Sequence, residues 1–215
     1  DNWGPTAYVY LALHGSYGYC WLIKEMAFPN KNLRDSLSLP VAFFLSLLIF
    51  LPGYWTIPIL AISTGTEAPP ALLGAATTLY TLGLNIMMTS DCQTHWFLKL
   101  RKGRLIAEGM NRFIRHPNYS GEIMLYAAFC LLARHWAAWL IFGIAYLIIL
   151  MPSNLKKEKS LSRYPAWPVY KEQSGMYFPP VSALWAKPLD SKLLAASKTA
   201  GAEATPSQSE AMKAR

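Results

Sequence analysis

The sequence predicts an all-α integral membrane protein with about five transmembrane helices. Of its 215 residues, 53% are hydrophobic, and the mean hydropathy is positive. Apolar stretches of about twenty residues recur along the chain, which is the length that a helix needs to cross a bilayer. A soluble core of this size does not require such stretches, so we expect residues 1–186 to form one membrane-embedded domain.

The first three spans precede a long polar segment. The first is predicted over residues 6–23 and is rich in aromatic side chains. The second, over residues 39–62, contains helix-breaking residues, so we expect it to be kinked or to end early and re-enter the membrane. The third is predicted over residues 71–90. The helix-breaking residues of the second span are Pro52, Gly53 and Pro58.

The fourth and fifth spans come from one apolar block, residues 123–151, which only Arg134 and His135 interrupt. As one helix rising about 1.5 Å per residue, the block would exceed a hydrocarbon core of roughly 30 Å. It would also hold an arginine near the middle of the membrane, at a cost of several kcal/mol. We therefore predict a helical hairpin of two short spans, joined by a tight turn at Arg134 and His135.

The basic residues predict the orientation. They lie in the connections that follow the first, third and fifth spans, whereas the other two connections carry Glu67 and only Arg134 among charged residues. The positive-inside rule places the three basic connections on the cytoplasmic or matrix side. The basic residues are Lys24, Lys31, Arg34, Lys99, Arg101, Lys102, Arg104, Arg112, Arg115, Lys156, Lys157, Lys159 and Arg163.

The net charge is +8, and the basic residues that produce it border predicted membrane spans. This placement indicates contact with anionic head groups or an anionic cofactor rather than with nucleic acid. Residues 187–215 are rich in Ala, Ser, Lys and Glu, which predicts a disordered polar tail. Cys20, Cys92 and Cys130 lack metal-ligand spacing, so we expect neither a disulfide framework nor a metal site. The chain begins at Asp1 rather than Met, so a processed or partial chain is expected.

Two polar segments concentrate the chemistry. In "SDCQTHWFLKLRKGRLIAEGMNRFIRHPNYSGE", residues 90–122, Gly103 and Gly109 permit turns and Pro117 cannot continue a helix. We expect this loop to fold back over the membrane face as a lid. Gly121 allows a close approach of backbone or ligand. The second segment, residues 155–180, supplies Lys157, Glu158, Arg163, Tyr164 and Tyr170.

These segments carry a family resemblance. The string "RHPNY" is followed by "GE" and preceded by "SDCQ" and a basic loop with glycines; "EKSLSRYP" and "FPP" come later. This ordered set resembles the C-terminal domain of the steroid 5-alpha-reductase superfamily, with the closest similarity to its uncharacterised bacterial-type membrane branch. It covers about residues 77–180, and "LHGSYGYCWLIKEMAFP", residues 13–29, is also similar to that branch. Isoprenylcysteine carboxyl methyltransferases and phospholipid N-methyltransferases are more distantly similar.

The resemblance implies a cofactor in a cytoplasm-facing cavity and a lipid substrate that enters from the bilayer. In the reductases the cofactor is NADPH; in the methyltransferases a similar motif helps to hold S-adenosylmethionine. The motif by itself does not separate the two. The positions that match the reductase cofactor motif are Asp91, Arg104, Arg115, His116, Asn118, Tyr119, Glu122, Glu158, Tyr164 and Tyr170.

Electrostatics favours NADPH. Its phosphate groups are matched by forked arginine donors, whereas a sulfonium cation is repelled by a site rich in arginine and lysine. The methyltransferases often carry paired acidic residues in the later segment, but here Glu158 lies between Lys157 and Lys159.

Reduction of an enone needs a donor to the carbonyl oxygen as hydride arrives at the β carbon. Steroid reductases of the superfamily use a Glu and Tyr pair that has no match here, and the nearest candidates by residue type are Tyr17, Tyr19 and Glu25. His14 and His95 are expected to be structural.

Three functions stay open at this point. The first is an NADPH-dependent reductase of a carbon–carbon double bond in a lipid or steroid-like substrate. The second is an S-adenosylmethionine-dependent lipid or isoprenylcysteine methyltransferase. The third is a catalytically silent accessory subunit of a larger membrane complex.

Overall fold

The computed structural model describes residues 3–29, 38–45, 47, 55–185 and 188–189. This described part is helical and contains no β-strand, which confirms the predicted all-α class. The helices are α1 (Pro5–Ala27), α2 (Leu39–Leu45), α3 (Thr56–Ser63), α4 (Pro70–Leu100), α5 (Pro117–Ala133), α6 (Trp136–Ala145), α7 (Met151–Leu161) and α8 (Trp167–Gln173). A π-helical segment, Tyr146–Leu150, connects α6 to α7, and 3-10 turns cover Gly109–Arg112 and Val181–Leu184.

Two helices of the described part are long and apolar enough to cross a bilayer. One is α4, and the other is Trp136–Leu161, which comprises α6, the π-helical segment and α7. The helix α4 ends at Leu100, ten residues beyond the predicted end of the third span. The first third of the expected lid segment is therefore helical, which corrects the prediction of a loop beginning at Ser90. No Gly or Pro occurs between Ser90 and Gly103, so nothing local stops the helix earlier.

The turn predicted at Arg134 and His135 is present. Helix α5 ends at Ala133, Arg134 has a positive φ of 49°, and α6 begins at Trp136. His135 is the N-cap of α6, and its Nδ1 accepts a hydrogen bond from the backbone N–H of Ala137 at 3.1 Å. The Arg134 guanidinium donates to the Glu67 carbonyl oxygen at 2.5 Å. The arginine is thus accommodated at a turn and not inside a continuous helix.

Part of the second predicted span is visible as α2 and α3. Pro58 occupies the first turn of α3, where a missing backbone N–H costs no helical hydrogen bond. Three further sequence predictions concern residues outside the described part of the chain. They are the helix breakers Pro52 and Gly53, the basic residues Lys31 and Arg34, and the predicted disordered tail 187–215, of which only Pro188 and Leu189 are described.

The chain divides into two compact units. The first comprises residues 1–89 and 118–152, and the second comprises residues 90–117 and 153–215. We call them the apolar unit and the basic unit, after the composition of their described residues.

The apolar unit is built on aromatic packing and one close helix contact. The Phe129 ring on α5 is 1% exposed, and its centroid lies 5.4 Å from that of Tyr10 and 5.9 Å from that of Tyr80. Helices α4 and α5 meet at two glycines: a Cβ on Gly83 would lie only 2.7 Å from the Gly121 carbonyl oxygen. The close approach expected at Gly121 is therefore an approach of backbone, which small residues permit between packed helices.

The basic unit has a separate small core. Loop residues after α4 pack against α8 and the turn before it. The buried members are Leu105, Ala107, Tyr164, Ala166, Trp167 and Tyr170.

Candidate functional site

Arg115 and Glu158 form a shielded ion pair in the basic unit. The Arg115 Nε donates to Glu158 Oε1 at 2.8 Å, and the two side chains are only 8% and 14% exposed. The Arg115 Nη1 donates to the carbonyl oxygen of Ser174 and, at 3.3 Å, to that of Lys171. Its guanidinium carbon lies 5.8 Å from the Trp167 ring centroid, within cation–π range. The arginine therefore joins α7, α8 and the segment that follows α8.

His116 shares the same carboxylate. Its Nε2 lies 3.0 Å from Glu158 Oε1, and the residue is 4% exposed. Burial lowers the pKa of His116 to about 4, and the nearby cations Lys157 and Arg115 lower it further against the opposing effect of Glu158. The imidazole is neutral near pH 7, so Nε2–H donates and Glu158 Oε1 accepts from both neighbours. The carboxylate thus orients both residues of the "RH" pair.

Backbone pairing holds these side chains in place. The Arg115 N–H donates to the Gly175 carbonyl oxygen at 2.8 Å, and the His116 N–H donates to that of Met176 at 3.1 Å. Ile114 and Gly175 form an isolated parallel bridge. Since the residue before a proline favours extended backbone, Pro117 suits this pairing.

The two predicted tyrosines of the later segment serve the internal packing of the basic unit. Tyr170 is 1% exposed, and its hydroxyl donates to the Asn111 carbonyl oxygen at 2.6 Å. Burial raises the pKa of Tyr170 above its ordinary range. Tyr164 is buried, and its hydroxyl accepts from Arg163 at 3.1 Å. The Asn111 amide in turn donates to the Arg115 carbonyl oxygen at 3.2 Å, so Tyr170 supports the Arg115 backbone.

Gln93 was not singled out by sequence reasoning, although it lies in the "SDCQ" string. Its Oε1 accepts from the Met110 N–H at 2.9 Å, and its Nε2 donates to the Glu108 carbonyl oxygen at 2.8 Å. Gly109 lies between these partners with φ +60°, and a side chain there would collide with Gln93. Gln93 therefore fixes the basic loop against α4.

Two buried polar atoms of the basic unit have no hydrogen-bond partner among the described residues: Arg104 Nε and Asn154 Oδ1. Arg104 belongs to the predicted cofactor set, whereas Asn154 does not. Asp91, also in that set, lies half-buried on α4.

The remaining predicted residues belong to the apolar unit. Asn118, Tyr119 and Glu122 are half-buried in the first turns of α5. On α1, Tyr17 is 8% exposed and its ring centroid lies 6.1 Å from that of Tyr126.

The other two catalytic candidates on α1 are placed differently. Tyr19 is 72% exposed, because a residue two positions from Tyr17 lies about 200° away around the helix. Glu25 pairs with the Lys24 Nζ at 3.2 Å.

A shallow surface cleft with an enclosed volume of about 10 Å³ lies in the basic unit. Of the predicted cofactor residues it contains none. It is far smaller than the roughly 300–1,000 Å³ typical of ligand pockets. Its lining residues are Ala107, Arg112, Phe113, Gln173, Ala183, Pro188 and Leu189.

Comparison with known proteins gives the family. No curated protein and no solved structure matches the chain significantly, so the specific branch and the methyltransferase similarity stay predictions. The family model described as "Protein of unknown function (DUF1295)" matches residues 32–174, which is more than half of the chain and includes the Arg115, His116 and Glu158 cluster. The chain therefore belongs to the DUF1295 family, which lies within the steroid 5-alpha-reductase-like superfamily.

Proposed function

We propose that the protein is a membrane-bound, NADPH-dependent reductase of a carbon–carbon double bond in a lipid or steroid-like enone. The distribution of charge supports this. The described residues of the basic unit include eleven Lys and Arg and four Asp and Glu, whereas those of the apolar unit include two and three. Positive charge is concentrated in the unit that holds the "RHP" motif, and it matches the phosphate groups of a dinucleotide.

The observation that carries the proposal is the buried Nε of Arg104. It has no hydrogen-bond partner among the described residues, and a buried donor left unpaired costs about 1–3 kcal/mol. Guanidinium donors suit phosphate oxygens. An anionic cofactor would satisfy this donor, so the residues present fit NADPH, with Arg104 as a phosphate ligand.

The chain's own residues have separate tasks in this proposal. When bound, reduced nicotinamide supplies the hydride. Glu158 keeps Arg115 and His116 oriented, and the neutral His116 adds no charge at pH 7. Among the three catalytic candidates, Tyr17 is buried, whereas Tyr19 is exposed and Glu25 is paired with Lys24. We assign to Tyr17 the hydrogen bond to the substrate carbonyl oxygen.

The proposal includes a five-span arrangement. The spans are α1, the region of α2 and α3, α4 up to about Ser90, α5, and the apolar part of Trp136–Leu161 that precedes Lys156, with the basic segments on the cytoplasmic or matrix side. Helix α1 has 23 residues, or roughly 35 Å at 1.5 Å per residue, which is enough to cross the hydrocarbon core. Membrane lipids then surround the apolar unit, and a hydrophobic substrate enters from the bilayer.

S-adenosylmethionine is the alternative cofactor, and the geometry of Glu158 disfavours it. A sulfonium needs an available anion, but this carboxylate already accepts from Arg115 and His116. Methyl transfer and a role as accessory subunit of a larger membrane complex are therefore the two alternatives that the titration described next distinguishes from reduction.

The test is calorimetric titration of the detergent-purified protein with NADPH, NADH and S-adenosylmethionine. We expect saturable NADPH binding and at least tenfold weaker binding of NADH, which lacks the ribose phosphate. Arg104→Gln should lower NADPH affinity at least tenfold, since charge-assisted hydrogen bonds contribute about 1.5–3 kcal/mol. Lys102→Gln removes the same charge from an exposed position in the same loop, and it should change affinity less than threefold.

Three results would contradict the proposal. Binding of S-adenosylmethionine alone would point to methyl transfer. Absence of binding for all three ligands, in a sample shown to be helical by circular dichroism, would favour the accessory-subunit function. Equal losses in the two variants would show that Arg104 acts only through general charge.

A further inference from the structure

Asn154 is a buried polar residue next to the Arg115 cluster. It lies on α7, one helical turn before Glu158, and none of its surface is exposed. Its Nδ2 donates to the Tyr177 hydroxyl at 2.7 Å. Its Oδ1 has no hydrogen-bond partner among the described residues. One end of the amide is therefore fixed, and the other presents an acceptor without a described donor.

Asn154 is contiguous with the predicted cofactor residues. The Tyr177 ring centroid lies 6.4 Å from that of His116, and His116 binds Glu158 at 3.0 Å. All of these residues belong to the basic unit.

A buried acceptor without a donor destabilises a folded protein, and native structures contain few of them. The acceptor is therefore explained best by a donor that arrives with a ligand.

We propose that Asn154 Oδ1 accepts a hydrogen bond from an N–H group of the bound nucleotide cofactor. Two N–H groups of NADPH have this chemistry: the nicotinamide carboxamide and the adenine amino group. Because Asn154 is enclosed, the donor reaches Oδ1 when a neighbouring side chain moves aside, and Tyr177 is the neighbour in hydrogen-bond contact. This inference rests on the proposed function and makes Asn154 a residue for cofactor specificity.

The test compares three cofactors by calorimetric titration. The first is NADPH. The second is the reduced 3-acetylpyridine analogue, which lacks the carboxamide N–H, and the third is the reduced hypoxanthine analogue, which lacks the adenine amino group. We expect wild-type protein to bind one analogue about tenfold more weakly than NADPH. The analogue that loses affinity identifies the group that meets Asn154.

Two variants complete a double-mutant cycle. Asn154→Leu should lower NADPH affinity about tenfold. It should also bind, with the same affinity as NADPH, the analogue that wild-type protein binds weakly. Tyr177→Phe, the matched control, removes the partner of Nδ2 but keeps Oδ1, so it should retain the wild-type preference.

The outcomes separate this inference from the proposed function. Equal binding of NADPH and both analogues by wild-type protein overturns the inference without requiring any variant to fold, and it leaves the proposed function standing. An unchanged analogue penalty in Asn154→Leu also overturns it. A complete lack of NADPH binding by wild-type protein overturns both.

Discussion

The apolar unit and the basic unit are both helical, but they stabilise their helices in different ways. The described part of the basic unit has seven more cations than anions, whereas that of the apolar unit has one more anion than cations. The apolar unit places backbone against backbone at Gly83 and Gly121. The basic unit encloses an ion pair between Arg115 and Glu158.

This difference is the one that the proposed membrane location of the apolar unit predicts. Lipid tails are as apolar as leucine, so helices in a membrane associate through close packing and small residues. A buried guanidinium, in contrast, is tolerated only when a carboxylate and further acceptors surround it. We therefore expect substitutions in the apolar unit to lower stability by disturbing steric fit, and substitutions in the basic unit to lower it by removing a charge partner.

The largest effect is expected for Glu158→Gln. Glutamine keeps the volume but leaves the Arg115 charge without its counter-ion at 8% exposure. Removal of one partner of a buried pair costs about 3 kcal/mol or more. Hydrogen exchange in detergent should show faster exchange of the Arg115, His116 and Gly175 amides, which pair the two backbone segments, while the amides of α5 keep their protection.

The matched control is Glu108→Gln in the same unit. Its pair with Arg101 is about half exposed on both sides, so solvent screening limits the loss to about 0.5 kcal/mol. Similar effects of the two substitutions would show that burial does not distinguish the two ion pairs.

A smaller effect, in the other unit, is expected for Gly121→Ala. Its Cβ would meet the Gly83 carbonyl oxygen and would lie 2.7 Å from the Met87 backbone nitrogen. Because backbone cannot move aside cheaply, we expect a loss of about 2 kcal/mol in the free energy of unfolding. Titration with a denaturing detergent, followed by circular dichroism, measures it.

Gly74→Ala is the control for that experiment. It lies on the same helix as Gly83, and an added Cβ there meets no atom within 4 Å. This variant should be neutral or slightly more stable, because alanine has the higher helix propensity. A loss equal to that of Gly121→Ala would contradict the role of close backbone packing.

The smallest effect is the pH dependence that His116 gives to the basic unit. The pKa of His116 is lowered to about 4 in the folded chain, against an unfolded value of about 6.5. The unfolded chain therefore binds the proton first, and stability that is present above pH 6.5 is lost as the pH falls towards 4. We expect a loss of about 1 kcal/mol between pH 7.5 and 5.5.

Hydrogen exchange of the Arg115 and His116 amides at the two pH values, corrected for the intrinsic exchange rate, measures this loss. His116→Gln should flatten the dependence over the same range. A slope that persists in the variant would assign the titration to another group.

Much of the fold could be predicted from local sequence. The apolar block broken by Arg134 and His135 predicted a hairpin, because an arginine is too costly inside a continuous span. The end of α4 could not be predicted from hydropathy, since residues 90–100 are polar enough to leave a membrane span and still continue a helix to Leu100.

The candidate site was predictable in part. The motif brought Arg115, His116 and Glu158 into one set, and the structure places them in contact. It did not indicate that the Tyr170 hydroxyl binds the Asn111 backbone. Hydrogen-bond partners far apart in the chain depend on packing, which no single motif specifies.

The sequence by itself determined the helical class, the hairpin turn and the concentration of cations in the polar segments, because each depends on local composition and on the cost of placing charge in lipid. Only the tertiary structure decided that Glu158 serves both Arg115 and His116, that Gly121 meets backbone, and that Arg104 Nε and Asn154 Oδ1 are buried without a described partner. The contacts depend on distances between residues that are remote in the chain. An unpaired polar atom is costly only where the fold buries it, and burial is a property of the tertiary structure.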